Sequence, residues 1–327
     1  MAKKKISQAF FDLVRADRDC YYAALSATIP LKKFYNTNPE RLNEFSLGMK
    51  EFWGNIFIEA PITQSKLMRS SFWFDYIKSY LSYKEFTQTD FSIQKIRGFY
   101  EKGLIHTYNI QEAKKYISGD MLEYYQAAYI YFESSKKEYE KELLALFEDF
   151  KKNWPNSQLI KYLEPKINPI REYHKAIEQP FSEKINFINR CETFNSLKES
   201  LAQFKGKKVF IDVWATWCGP CKEEFKYRTK LQELMKLKGF EILYISIDRE
   251  EKNKQWQEMV KYYSLEGYHM RTNEKFSDDL HSLFNNGKGK TIVIPWYMIV
   301  GKNGEIIKLH AHRPSELKEL EEELNVK

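Results

Sequence analysis

The sequence predicts an all-α segment over residues 1–180, followed by an α/β domain with a mixed central sheet flanked by helices over 181–327. Three observations carry this reading. The first 180 residues hold 33 of the 52 aromatic residues but five of the 13 glycines, and their apolar positions return every three to four residues. From residue 181 onward, short apolar runs alternate with helical periods, the signature of strands joined by helices. The chain has 327 residues, enough for two domains that each bury a core.

In chain order, helical spacing marks Phe10 to Leu25, Asn38 to Phe57 and Ser65 to Tyr83. Thr37-Asn38-Pro39-Glu40 reads as a helix start, a capping residue ahead of a first-turn proline. Met121, Tyr124, Tyr125, Ala128, Tyr129 and Phe132 share one face of a later helix, and Leu143, Leu144, Phe147 and Phe150 continue the pattern. Aromatic stripes at this spacing are read as core packing; the sharper alternative is an aromatic groove that grips a peptide or partner. Pro155, Pro165, Pro169 and Pro180 predict a connector of short pieces, with the domain boundary near Gln179-Pro180.

The second half reads as a strand at Ile185 to Ile188, a helix from Phe194 to Phe204 and an apolar strand from Lys208 to Trp214. A helix then starts near Pro220 and runs to about Lys238. Phe240 to Ile247 is a strand, Gln255 to Tyr263 and Asp279 to Phe284 are helices, and Ile292 to Val300 is a strand. Gly301-Lys302-Asn303-Gly304 turns a hairpin into Glu305 to His310, and Pro314 to Leu324 closes the chain as a helix.

Composition excludes several classes. Hydrophobic residues make up 43% and charged residues 30%, as in folded globular proteins. No stretch approaches the ~18 apolar residues of a membrane span, and the longest candidate, Thr291 to Gly301, contains Pro295. The net charge of +7 is thinly spread: 27 basic against 23 acidic residues before position 181, and 25 against 22 after it. Nucleic-acid binding needs that charge gathered on one face, so it is not expected. Met1-Ala2-Lys3-Lys4-Lys5 is a charged start, but Asp12, Arg15 and Asp17 interrupt the next stretch, and no apolar signal core is present. The run Glu319 to Glu323 is read as the solvated face of the last helix.

Four cysteines in this length make no disulfide scaffold. Cys218 and Cys221 form a Cys-x-x-Cys pair with no second pair of metal ligands at zinc spacing, so the reading is redox and no metal is expected. His310 and His312 lie two apart on one strand face but lack a third ligand. Cys20 and Cys191 are read as separate buried thiols; a second disulfide is the alternative.

The pair sits in Trp214-Ala215-Thr216-Trp217-Cys218-Gly219-Pro220-Cys221-Lys222, between a strand and a helix. Cys218 falls at the helix start, where unpaired N–H groups and the positive dipole end favour a thiolate, the attacking species in disulfide exchange. Cys221 lies one turn inward and can resolve a mixed disulfide. Pro220 suits a first turn, where its missing N–H has no partner to lose.

This run resembles the active site of the thioredoxin superfamily. The region from about 182 to 327 is similar to TlpA/ResA-type thiol–disulfide oxidoreductases, through Leu197 to Lys208, the insert Arg249 to Lys290, and Met298 to Ile306. Members with an extended helical region ahead of that domain are common in Bacteroidetes-type bacteria. The resemblance implies a thioredoxin-like fold and a redox-active disulfide in place of any cofactor. It makes Ile294-Pro295 the family's cis-proline, though a trans edge-strand proline stays open, and Asp212 the buried acid that assists the second cysteine. Trp217, Ile294, Pro295 and Trp296 would line the substrate groove, with Gly219 and Pro220 between the cysteines.

Three positions depart from the family pattern. Trp296 stands where threonine is usual, and is expected to put a large apolar surface beside the groove. Lys226 replaces a kinking proline, which predicts a straighter helix. Tyr244 stands where thioredoxins carry the lysine that pairs with the buried acid.

The function implied is reduction of protein disulfides, with substrate proteins and a recharging thiol–disulfide protein as partners. The setting implied is bacterial and periplasmic or otherwise extracytoplasmic, with the cytoplasm as the alternative. The competing functions are a partner-binding protein dominated by its helical half, and a disulfide oxidase or isomerase.

Overall fold

The structure, a computed structural model, describes residues 6–36, 47–59, 65–88, 94–285 and 291–325. The expected helix start at Thr37-Asn38-Pro39-Glu40 and the charged start Met1 to Lys5 lie outside the described residues. Chain contacts divide the molecule into two units: residues 1–135 with 139–170, and residues 136–138 with 171–327.

Aromatic packing builds the first unit. Its helices are α1 (Gln8–Asn36), α2 (Leu47–Glu59), α3 (Trp73–Gln88), α4 (Gln94–Glu101), α5 (Ile105–Ala113), α6 (Gly119–Ser135), α7 (Glu142–Asn153) and the first part of α8 (Ile160–Ile177). Trp53, Trp73, Tyr76, Phe86, Tyr108, Phe147 and Phe150 are fully buried and form its core, while other rings such as Phe10, Phe11, Tyr22 and Tyr100 stay exposed. On α6, Tyr125 and Tyr129 are buried while Phe132 stays half exposed, stacked on Phe74. No side chain of α5 caps its own start. The Glu142 carboxylate does so instead, accepting from the backbone N–H groups of His106 and Thr107.

The prolines do not break the connector as expected. Pro165 and Pro169 both lie inside the continuous helix α8, and the division between units falls within it at Ile170, not at Gln179-Pro180. Each interior proline costs about 3 kcal/mol. Leu163, Ile167, Ile170 and Tyr173 form a buried stripe at helical spacing, worth about 1.5–3 kcal/mol each. The stripe outweighs two lost hydrogen bonds because neither proline lies on it.

The second unit holds six strands: β1 (Ile185–Phe187), β2 (Lys208–Trp214), β3 (Phe240–Ser246), β4 (Gly267–Arg271), β5 (Trp296–Val300) and β6 (Ile306–Lys308). Their order is β1-β4-β3-β2-β5-β6, with the first four parallel and β5 and β6 antiparallel. The mixed sheet expected is therefore present. It is flanked by α9 (Leu197–Leu201), α10 (Gly219–Glu224), α11 (Arg228–Lys238), α12 (Asn253–Tyr262), α13 (Glu274–Phe284) and α14 (Leu317–Leu324). Strand β4, inside the long insert, goes beyond the elements expected.

Period-two alternation separates the two faces. Val209, Ile211, Val213, Leu243, Ile245, Met270, Met298 and Val300 share a core with Leu197, Leu201, Phe276 and Leu280. The opposite face carries Phe210, Asp212 and Trp214. The second departure read from the sequence also needs correcting. Lys226 does not straighten the helix: a 3-10 turn at Phe225–Tyr227 separates α10 from α11. Phe225 is buried there between Trp214 and Tyr263, at ring distances of 5.2 and 5.0 Å.

Candidate active site

The apolar strand β2 delivers the chain to its end at Trp214, and Ala215 to Trp217 then turn it into α10. Asp248, just beyond β3, holds that turn. Its carboxylate accepts from the Thr216 N–H and the Thr216 hydroxyl, both at 2.8 Å, and from the Ser246 hydroxyl at 2.8 Å. All three residues are buried. Each charge-assisted bond of this kind is worth about 1.5–3 kcal/mol, which fixes where α10 begins.

Cys218 occupies the N-cap of α10 in extended conformation, and its Sγ accepts the Cys221 N–H at 3.1 Å. The two cysteines form a disulfide, with Cα atoms 5.3 Å apart. Cys218 is 4% exposed and Cys221 is fully buried, while the neighbouring Trp217 is 57% exposed. The outer sulfur is thus the one an incoming molecule meets. Pro220 falls in the first turn of α10, and a Cβ at Gly219 would touch nothing within 4 Å, so packing does not require glycine there. Cys20 is buried and Cys191 half-buried; both are free, in different units.

Asp212 is buried on the sheet face opposite the apolar core, with Tyr244 of β3 and Tyr297 of β5 as its cross-strand neighbours. One of its carboxylate oxygens and both phenol oxygens lack a hydrogen-bond partner. Burial pushes the Asp212 carboxyl well above the usual carboxylate range, and the Glu224 charge pushes it further. Tyr244 therefore does not replace the lysine as a bonded partner.

Glu224 is a residue that sequence reasoning missed. It lies three positions after Cys221, one turn along the same helix face, and is buried. Ser315 donates to it from backbone N–H at 2.9 Å and hydroxyl at 3.0 Å, and Arg313 approaches to 3.8 Å. The i+3 spacing from Cys221 was a visible signal. The residues that hold Glu224 lie 89 and 91 positions away and gave none.

The Ile294–Pro295 peptide bond is cis, and both residues are half-buried ahead of β5. Trp296 does not present the apolar surface expected. It is 3% exposed, because its register opposite Val213 turns the ring into the apolar core, and its indole N–H donates to the Leu309 carbonyl at 2.6 Å. Pro295 and Trp296 border a cavity of about 310 Å³ with His310, His312, Arg313 and Glu323. Neither cysteine, Trp217 nor Ile294 lines it. His312 and Lys308 both bind Glu323, at 2.9 and 2.8 Å. Among the described residues, no group of three His, Cys, Asp or Glu side chains could hold a metal ion.

A disulfide at a helix N-terminus is chemically able to exchange with thiols, and the same unit holds the buried acid Asp212 and a cis-proline ahead of the adjoining strand. Residues 191–324 match the Redoxin family. The second unit thus contains a redoxin domain, and part of it is similar to ResA-type thiol-disulfide oxidoreductases. The redoxin domain is 43% identical over 68 residues to the thiol-disulfide oxidoreductase ResA of Bacillus thuringiensis subsp. konkukian, covering 21% of this chain and 38% of that protein. It is 27% identical over 106 residues to the Geobacillus kaustophilus protein of the same name, covering 32% and 55%. The chain thus spans about two fifths of the first of these curated relatives and just over half of the second. A solution structure of a putative thiol-disulfide oxidoreductase from Bacteroides vulgatus matches 36% of this chain and 72% of its own, at 33% identity and a TM-score of 0.31.

Proposed function

We propose that the protein is a thiol–disulfide oxidoreductase that reduces disulfides in other proteins through Cys218 and Cys221. The observation that carries the reading is the position of Cys218 Sγ, bonded by the Cys221 amide in the first turn of α10 and the more exposed of the two sulfurs. A helix N-terminus lowers a thiol pKa, so the reduced pair would hold its outer sulfur as thiolate at neutral pH.

In the proposed reaction, the Cys218 thiolate attacks one sulfur of a substrate disulfide. That S–S bond breaks, and the leaving thiolate takes a proton. This first proton comes from water. Cys221, giving its own proton to Asp212, then attacks Cys218 Sγ; the mixed disulfide breaks, and the second substrate sulfur leaves and takes that proton back from Asp212. Two electrons and two protons pass to the substrate, and the pair closes to the disulfide present in the structure. In its ionised form Asp212 suits the acceptor role, because burial raises its pKa and makes the carboxylate a stronger base than an ordinary one. A dithiol protein must then reduce the pair again. Trp217, Ile294 and Pro295 would contact the substrate backbone. An extracytoplasmic setting belongs to this proposal, and no described helix is long and apolar enough to cross a membrane.

Cys218→Ser should abolish reduction of insulin disulfides by dithiothreitol-recharged protein, a loss of at least about a hundredfold. Cys221→Ser should instead trap substrate as a mixed disulfide. Turnover by the Cys218→Ser protein close to the unsubstituted rate would remove the reading.

A further inference from the structure

Lys222, the residue after Cys221, is 1% exposed although its stem could reach water. Its ammonium donates to the carbonyl of Lys137 at 2.9 Å and reaches that of Lys136 at 3.5 Å. These acceptors come from Lys136–Glu138, the short stretch between α6 and α7 that belongs to the second unit. Lys137 holds a φ of 56°, a left-handed conformation that lysine rarely adopts. Its own ammonium pairs with Glu223, the next residue on α10, and Glu223 also pairs with Lys226. Two consecutive residues of the active-site helix therefore hold one segment that lies 85 positions earlier in the chain.

A buried ammonium is retained against a high desolvation cost only where acceptors and charges compensate. Burial lowers the Lys222 pKa to about 8; Glu138 and Asp248 favour its charge, and Lys137 and Lys252 oppose it. At neutral pH it is still mostly a cation. Lys222 also stands one turn after Cys218 at the head of α10, where its backbone N–H donates to the Cys218 carbonyl at 3.3 Å. A thiolate on Cys218 would then feel both the first-turn amides and a cation whose position is fixed by backbone carbonyls.

We propose that Lys222, anchored by Lys136–Glu138, is a positioning residue that stabilises the Cys218 thiolate and thereby sets the redox balance of the pair. The inference rests on the disulfide-exchange reading above. Removing the cation raises the energy of the reduced pair and leaves the disulfide untouched. The pair should therefore become a stronger reductant.

The test uses the full chain. The alkylation rate of Cys218 is followed against pH, and the pair is equilibrated with glutathione. In that equilibrium one glutathione disulfide oxidises the dithiol to the Cys218–Cys221 disulfide and yields two glutathione thiols. Lys222→Met should raise the Cys218 titration midpoint by about half to one pH unit and shift the equilibrium about three- to tenfold toward the protein disulfide. Lys222→Arg, which keeps the charge, should stay close to the unsubstituted protein. Lys222→Gln can still donate to the Lys137 carbonyl but carries no charge; it should behave like Lys222→Met, and serves if Lys222→Met fails to fold. An unchanged midpoint and equilibrium in folded Lys222→Gln or Lys222→Met overturns the proposal, even where thermal stability falls. Absence of any exchange with glutathione in the unsubstituted protein overturns the oxidoreductase reading instead.

Discussion

Asp212 is a residue whose cost to the fold should be measurable apart from the part in exchange proposed for it. Its carboxyl is buried between two phenols that donate no bond to it, and its pKa is raised first by burial and then by Glu224. A raised folded-state value means that its contribution to stability is intact below the unfolded pKa near 3.9 and is lost as pH rises through the folded value. Asp212→Asn keeps the volume and removes the titration. Its thermal midpoint, relative to the unsubstituted protein, should climb as pH goes from about 4 to about 9. A difference that stays flat over that range would contradict the assignment. The two cysteines were legible in the sequence because strand, turn and helix start are all local. Lys222, Glu224 and Asp248 were not, since what gives each its role lies at Lys137, Ser315 and Thr216, which only folding brings near.

Among the elements, β4 shows why periodicity found some strands and missed others. Strand β2 is a run of contiguous apolar residues interrupted once, and its observed bounds coincide with those expected. Strand β4 reads Gly-Tyr-His-Met-Arg, too polar for a strand paired on both sides, by β1 and β3. The polar character is local to the site face: His269 stacks on Tyr244 at 4.9 Å, in line with Asp212 across the sheet. Its Nε2–H donates to the Leu265 carbonyl at 2.7 Å, leaving Nδ1 buried without a partner. Burial lowers its pKa to about 3. The neutral ring contributes stability that is full above the unfolded value near 6.5 and is lost as pH falls toward the folded value. This group alone should steepen acid unfolding by about 1.4 kcal/mol per pH unit between those limits. His269→Phe keeps a ring on Tyr244 and should show a shallower dependence of urea-unfolding free energy on pH in that window, whatever its stability at pH 7. An unchanged slope would place the acid sensitivity elsewhere.

Over the whole molecule, the chain consists of two units with separate cores, one of aromatic helices and one around a mixed sheet. Among the described residues the only disulfide joins Cys218 to Cys221 in the second unit, and Cys20 and Cys191 are free, so a reductant has a single target. Closing so short a loop stabilises by about 2 kcal/mol in the chain-entropy account. Stabilisation of the Cys218 thiolate by the first amides of α10 works the other way once the bond is open, and it trims that difference without reversing it. Two calorimetric transitions are therefore expected. Dithiothreitol should lower one of them, that of the redox unit, by about 4–8 °C and leave the other in place. Cys221→Ser, which cannot form the bond, should show the lowered transition with or without reductant. If both transitions of the unsubstituted protein moved together on reduction, the two units would unfold as one, and the bond at the head of α10 would be stabilising the helical half as well.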